Sequence, residues 1–155
     1  MIGLAVSIRP PTKAGRLYPR YVHSAGILAV GSEIERPWPF GLDIDGNLVL
    51  DLDDQRVLAN FDLHIPMTLW QIASTTDLPP IVRPGDLVFS PEVVAQRSFS
   101  LPLHVTKIGQ QVLIEFAAVK PASAVPLSET CCALMLGSEL VGFVVTLSND
   151  SSPGL

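Results

Sequence analysis

Charge is scarce in this chain of 155 residues, with 10 lysines and arginines and 15 aspartates and glutamates. Charged residues make up 16% of the sequence, against about 25% in an ordinary soluble chain. A hydrophobic share of 48% excludes intrinsic disorder, which requires too little apolar surface to build a core. Long apolar runs are also missing: no run approaches the roughly 18–20 residues that a membrane-spanning helix needs. Cysteine is limited to Cys131 and Cys132, and adjacent residues of a strand point to opposite faces. The pair is therefore placed neither to bridge nor to share a metal, and reads as two small apolar residues.

The three histidines, His23, His64 and His104, lie far apart with no ligand spacing between them. No serine sits in a Gly-x-Ser-x-Gly elbow, and no glycine-rich phosphate loop is present. Neither a catalytic residue, a metal centre nor a cofactor is read from the sequence. Met1–Ile8 has no basic residue before it and no small-residue cleavage site after it. It reads as a first strand rather than a secretory signal, so the expected location is cytoplasmic.

Proline is abundant, and 14 prolines interrupt any long helical pattern. Alternation of period two dominates instead. Over Leu48–Ile65, one register collects Leu48, Leu50, Leu52, Val57, Ala59, Phe61, Leu63 and Ile65. The other collects Val49, Asp51, Leu58, Asn60, Asp62 and His64. A two-residue turn at Asp54-Gln55 is expected, with Leu52 opposite Val57 and Leu50 opposite Ala59. Asp45-Gly46 is a strong hairpin signal, read in preference to a calcium loop because Leu48 stands where such a loop needs glycine.

Two further hairpins are expected. One turns at Gly109-Gln110 and sets Leu101 against Ala118, Leu103 against Phe116, Val105 against Ile114 and His104 against Glu115. The other runs Cys131–Leu136, Gly137-Ser138, Glu139–Leu147 and is apolar on both faces. Ser90-Pro91-Glu92 opens a short helix, and Pro66–Ala73 reads as a second helical segment. The fold class is therefore all-β: an antiparallel sandwich or partly open barrel of about nine or ten short strands, with at most one or two short helices. One β domain is expected over residues 1–150, with 75–86 as the place where two structural halves would join, followed by a disordered tail at 151–155.

The hairpins Asn47–Pro66 and Cys131–Asp150 share an order of apolar strand, short turn, two aliphatic residues and a small residue. The phrase Gly137-Ser138-Glu139-Leu140-Val141-Gly142-Phe143-Val144, with the apolar strand Val112–Val119 upstream, resembles a family of small bacterial β domains of unknown function. Those domains close on a Gly-x-Leu-Val-Gly-Ile-Glu-Ile hairpin. The resemblance spans about 40 residues, departs at Val145 where the family has an acid, and implies a β fold, with no known catalytic residues to carry over.

Charge is unevenly spread. Residues 1–23 carry Arg9, Lys13, Arg16 and Arg20 with no acid, whereas residues 43–62 carry six aspartates against Arg56. An acidic chain with four scattered cations argues against a nucleic-acid partner, and the basic arm is expected to lie near the acidic hairpin of its own or a neighbouring chain. The strands with two apolar faces need cover on both sides, from a second sheet or another subunit. Cys132, Leu134, Val141 and Phe143 are accordingly the candidate interface of a homo-oligomer or a protein partner. The expected function is a non-catalytic interaction or self-assembling module. The alternative is a small enzyme or ligand-binding barrel with a pocket near Trp38, Asp62, His64 or His104. Trp38, held between Pro37 and Pro39, is either a binding knob or a buried plug.

Overall fold

The computed structural model describes residues 2–12, 17–31 and 37–148. Among these, fourteen strands form two mixed sheets that face each other as an open sandwich. Lys13 and Arg16 of the basic arm, and the tail 151–155, lie outside the described residues.

The chain begins with β1 (Leu4–Arg9), β2 (Tyr18–Val22) and β3 (Ile27–Gly31). Then come β4 (Phe40–Ile44), β5 (Leu48–Leu52), β6 (Leu58–Leu63) and the two-residue β7 (Gln71–Ile72). After β8 (Asp86–Phe89), the helix α1 (Pro91–Gln96) precedes β9 (Ser98–Phe99) and β10 (His104–Ile108). The chain continues through β11 (Gln111–Glu115), β12 (Ser123–Pro126), β13 (Cys131–Leu136) and β14 (Glu139–Thr146). One sheet has the order β12-β13-β14-β11-β10-β7, with β1 joining β14 and β8 joining β1; the other runs β2-β3-β6-β5-β4-β9.

Local chemistry explains much of this. Asp45 and Gly46 both adopt positive φ, 55° and 72°, as the tight β4–β5 turn requires. Gly137 takes φ 61° in the turn that sets Leu136 against Glu139. His104 pairs with Glu115 and Val105 with Ile114, as the alternation demands, but the pairing ends there and the expected Leu101–Ala118 and Leu103–Phe116 pairs do not form. Ser90 caps α1 by accepting from the Val93 N–H at 3.3 Å, with Pro91 at the first helical position.

Several expectations are corrected. The strand count exceeds nine or ten because the arm itself pairs (β2 with β3), the stretch rich in Pro, Ala and Ser between Val119 and Cys131 supplies β12, and two-residue strands β7 and β9 add parallel edges. Pro66–Ala73 forms only a single 3-10 turn over Met67–Leu69 before β7. The β5–β6 register also differs: Leu50 faces Phe61 and Leu52 faces Leu58, with a bulge after Asp51. The cause lies in the turn. Asp54-Gln55 lacks the positive-φ residues of a two-residue loop, and Asp53 instead folds a wider one. Its Oδ1 accepts from the N–H groups of Gln55 at 2.8 Å and Val57 at 3.0 Å, while Arg56 takes φ 64°.

The main core draws on both sheets, from Leu4 to Leu147. Leu42, Ile44, Leu48, Leu50, Phe61 and Leu63 from one sheet meet Val112, Ile114, Leu140, Phe143 and Val145 from the other, all fully buried. Each such side chain contributes about 1.5–3 kcal/mol by leaving water. A second, smaller cluster on the outer face of the first sheet gathers Ala117, Ala124, Leu134, Val141 and Val144. Cys131 belongs to the main core and Cys132 packs against the second cluster, so the two thiols do occupy opposite faces.

Candidate functional site

The proposed interface residues are covered within the chain. Phe143, Leu134 and Val141 are 0%, 1% and 3% exposed, and Cys132 is half-buried. The hairpin is apolar on both sides because it separates two clusters of its own chain, so its apolarity no longer calls for a second subunit.

The four candidate pocket residues are not brought together. Asp62 and His64 stand on the outer face of the second sheet, where Asp62 pairs across to Val49 and Ala29. His104 is exposed on the first sheet beside Glu115. On that outer face Asp51 accepts from Asn60 Nδ2 at 2.6 Å. Partial burial pushes the Asp51 carboxyl above the usual aspartate range, and the Asn60 hydrogen bond partly offsets this. Asp62 is likewise raised, first by burial and then by the neighbouring Asp51 charge, while His64 and Arg20 pull it down. Burial also raises both thiols, Cys131 with a further push from Cys132. Among the described residues no group of three or more His, Cys, Asp or Glu is placed to hold a metal ion.

Of the four, Trp38 lines a cavity. A pocket of about 410 Å³ opens where the end of β1, the β5–β6 turn and β8 converge. Its apolar wall is made by Leu17, Trp38, Val57, Leu58, Ala59, Leu87 and Leu127, and its polar rim by Arg9, Thr12, Asp53, Asp54, Gln55 and Asp86. Trp38 is half-buried in this wall, intermediate between the knob and the plug.

The rim is built by hydrogen bonds that cross large sequence distances. Asp86 Oδ2 accepts from Thr12 N–H at 3.2 Å and from its hydroxyl at 3.0 Å. Arg9 Nη1 donates to Gln55 Oε1 at 3.0 Å, which sets the basic arm against the acidic hairpin. Arg9 Nε lies 3.6 Å from Asp86 Oδ2, an ion pair too long for a hydrogen bond, and this buried N–H has no acceptor. Leu17 is fixed through its carbonyl, which accepts from the hydroxyls of Ser128 and Thr130, both at 2.9 Å.

The hairpin wall is anchored to β8 at Arg56 and Val57. Arg56 donates Nε–H to the Phe89 carbonyl at 2.9 Å, and its own carbonyl accepts the Phe89 N–H at 2.9 Å. The adjacent Val57 bridges Val88. Sequence reasoning missed Leu17, Gln55, Asp86 and Leu127 because no local pattern marks them; only the fold makes them neighbours.

Compared with known protein families and with curated proteins, the chain matches no family model and no relative, so the Gly137–Val144 resemblance gains no support. Among the described residues, no helix is long and apolar enough to cross a membrane.

Proposed function

We propose that this protein is a non-catalytic β-sandwich that binds a small ligand in the pocket beside Trp38. The observation that carries this reading is the pocket itself. Its volume of about 410 Å³ falls in the range of small-molecule sites, about 300–1,000 Å³, and it joins an apolar wall to a pre-built polar rim. Binding rather than turnover is favoured because, among the described residues, the lining holds no His, Cys, Ser or Lys. Two of its carboxylates, Asp53 and Asp86, are already engaged in hydrogen bonds that shape the rim.

A fragment screen followed on the Trp38 indole N–H by NMR tests this. Bound fragments should shift that signal in the native chain and leave it unmoved in an Ala59→Phe variant, where the added ring fills the pocket. Fragments that bind the plugged and native chains alike, with both folded by circular dichroism, would refute the reading, as would a screen with no hits.

A protein contact is a second reading, now moved from the buried hairpin to the β7 edge. Leu69 and Ile72 are 70% and 87% exposed there, and β7 ends its sheet. Unpaired strand edges with apolar side chains are templates for association. Sedimentation should then show a concentration-dependent mass in the native chain and a monomer for Ile72→Lys; a native monomer at all concentrations excludes self-association at this edge.

A further inference from the structure

We infer that the pocket beside Trp38 is built for an organic cation: a protonated amine carried on a compact apolar body. The inference rests on the ligand-binding reading above and names the chemistry of the ligand.

Charge is the first argument. Among the described lining residues, three carboxylates, those of Asp53, Asp54 and Asp86, stand against one guanidinium, that of Arg9. Arg9 is tied on the rim by Gln55 and by Asp86, so its charge is largely spent on a carboxylate of the same wall. Asp53 has one oxygen committed to the turn, and Asp54 makes no hydrogen bond or ion pair with any described residue. The β5–β6 side of the pocket therefore carries two carboxylates that no ion pair among the described residues neutralises. A concave, partly apolar wall focuses such a field toward a ligand in the cavity.

The wall supplies the second argument. Trp38 lines the same space, and the electron-rich face of an indole attracts a cation within about 6 Å of the ring. Leu58, Leu87 and Leu127 offer apolar contact for the body of such a ligand. An anion would face Asp53 and Asp54, whereas a neutral ligand would gain from the apolar wall alone.

Three probes of nearly equal size separate these cases: benzylammonium, benzyl alcohol and benzoate, each titrated at pH 7 while the Trp38 indole N–H is followed by NMR. Benzylammonium should bind at least about 3-fold tighter than benzyl alcohol, as expected for one cation–π contact plus an exposed carboxylate, and benzoate should bind most weakly. The preference should shrink with added salt. Asp54→Asn should weaken benzylammonium about 2- to 5-fold without affecting benzyl alcohol. Asp77→Asn, an exposed carboxylate paired with Lys120 away from the pocket, should change neither. Equal or tighter binding of benzyl alcohol or benzoate would overturn the cation assignment and leave the pocket standing as a binding site. No shift with any probe would overturn both.

Discussion

Phe61 and Phe143 stack nearly face to face, with ring centroids 4.3 Å apart and planes 16° from parallel. One ring comes from the β5–β6 hairpin and the other from β13–β14, so the contact joins the two sheets at the centre of the core. Phe116 adds a tilted third ring 6.1 Å from Phe143. Removing the central ring leaves a void that two stiff sheets cannot close. Phe143→Ala should therefore lower unfolding free energy by about 3–5 kcal/mol in urea titrations, and Phe143→Leu by clearly less. A cost under about 1 kcal/mol for the alanine variant would mean that the sheets are not packed through this ring.

Arg56 holds a backbone conformation that L-residues seldom adopt, φ 64°, and repays it through its side-chain hydrogen bond to Phe89. Arg56→Ala retains the strain and loses the bond; Arg56→Gly loses the bond but is free of the strain. The order of stability should be native, then glycine, then alanine, with about 1 kcal/mol between the two variants. Urea midpoints would show this, and an alanine variant as stable as the glycine one would contradict it.

Asp51 and Asp62 give the fold a definite pH dependence. Their carboxyls are raised in the folded chain above the usual 3.8, mainly by burial, so folding favours their protonated forms. Their contribution is fully present below about pH 3.8 and is lost as pH rises through the folded values. Asp62→Asn removes the charge that burial penalises and relieves Asp51 as well. This variant should be more stable than the native chain at pH 7, with the gap closing as pH falls below 4. A constant difference between pH 3 and pH 7 in thermal unfolding would refute this account.

The two thiols should differ in reactivity. Cys131 is fully buried in the main core, Cys132 is half-buried on the outer face, and burial raises both above the ordinary thiol range. Since the thiolate is the reactive species, an aromatic disulfide reagent at pH 8 should titrate Cys132 slowly and Cys131 only after denaturation. Rapid modification of both in the native chain would show that the β13–β14 ribbon opens.

The structure was readable from the sequence where a short segment carries its own conformational demand. Asp45-Gly46, Gly109-Gln110 and Gly137-Ser138 turn where glycine or aspartate tolerates the required backbone angles. Ser90-Pro91 starts a helix for equally local reasons. The β5–β6 register was not readable, because the wider turn needs a positive φ at Arg56, held by the nearby Asp53 carbonyl and by Phe89, 33 residues away. The β13–β14 hairpin shows the same limit. Its two apolar faces are visible as a pattern, but a pattern cannot state whether the cover belongs to the same chain. Here Phe61 covers one face and the second cluster occupies the other.

Residue order alone determined the β character, most turns, and the faces that must leave water, because these follow from backbone preference and from alternation every second residue. The tertiary structure alone decided the pocket. Arg9, Leu17, Trp38, Gln55, Asp86 and Leu127 surround one space only after two sheets close on each other. No interaction between near neighbours in the chain selects that meeting; it is set by how the two apolar faces pack and by the hydrogen bonds that pin the loops at their rim.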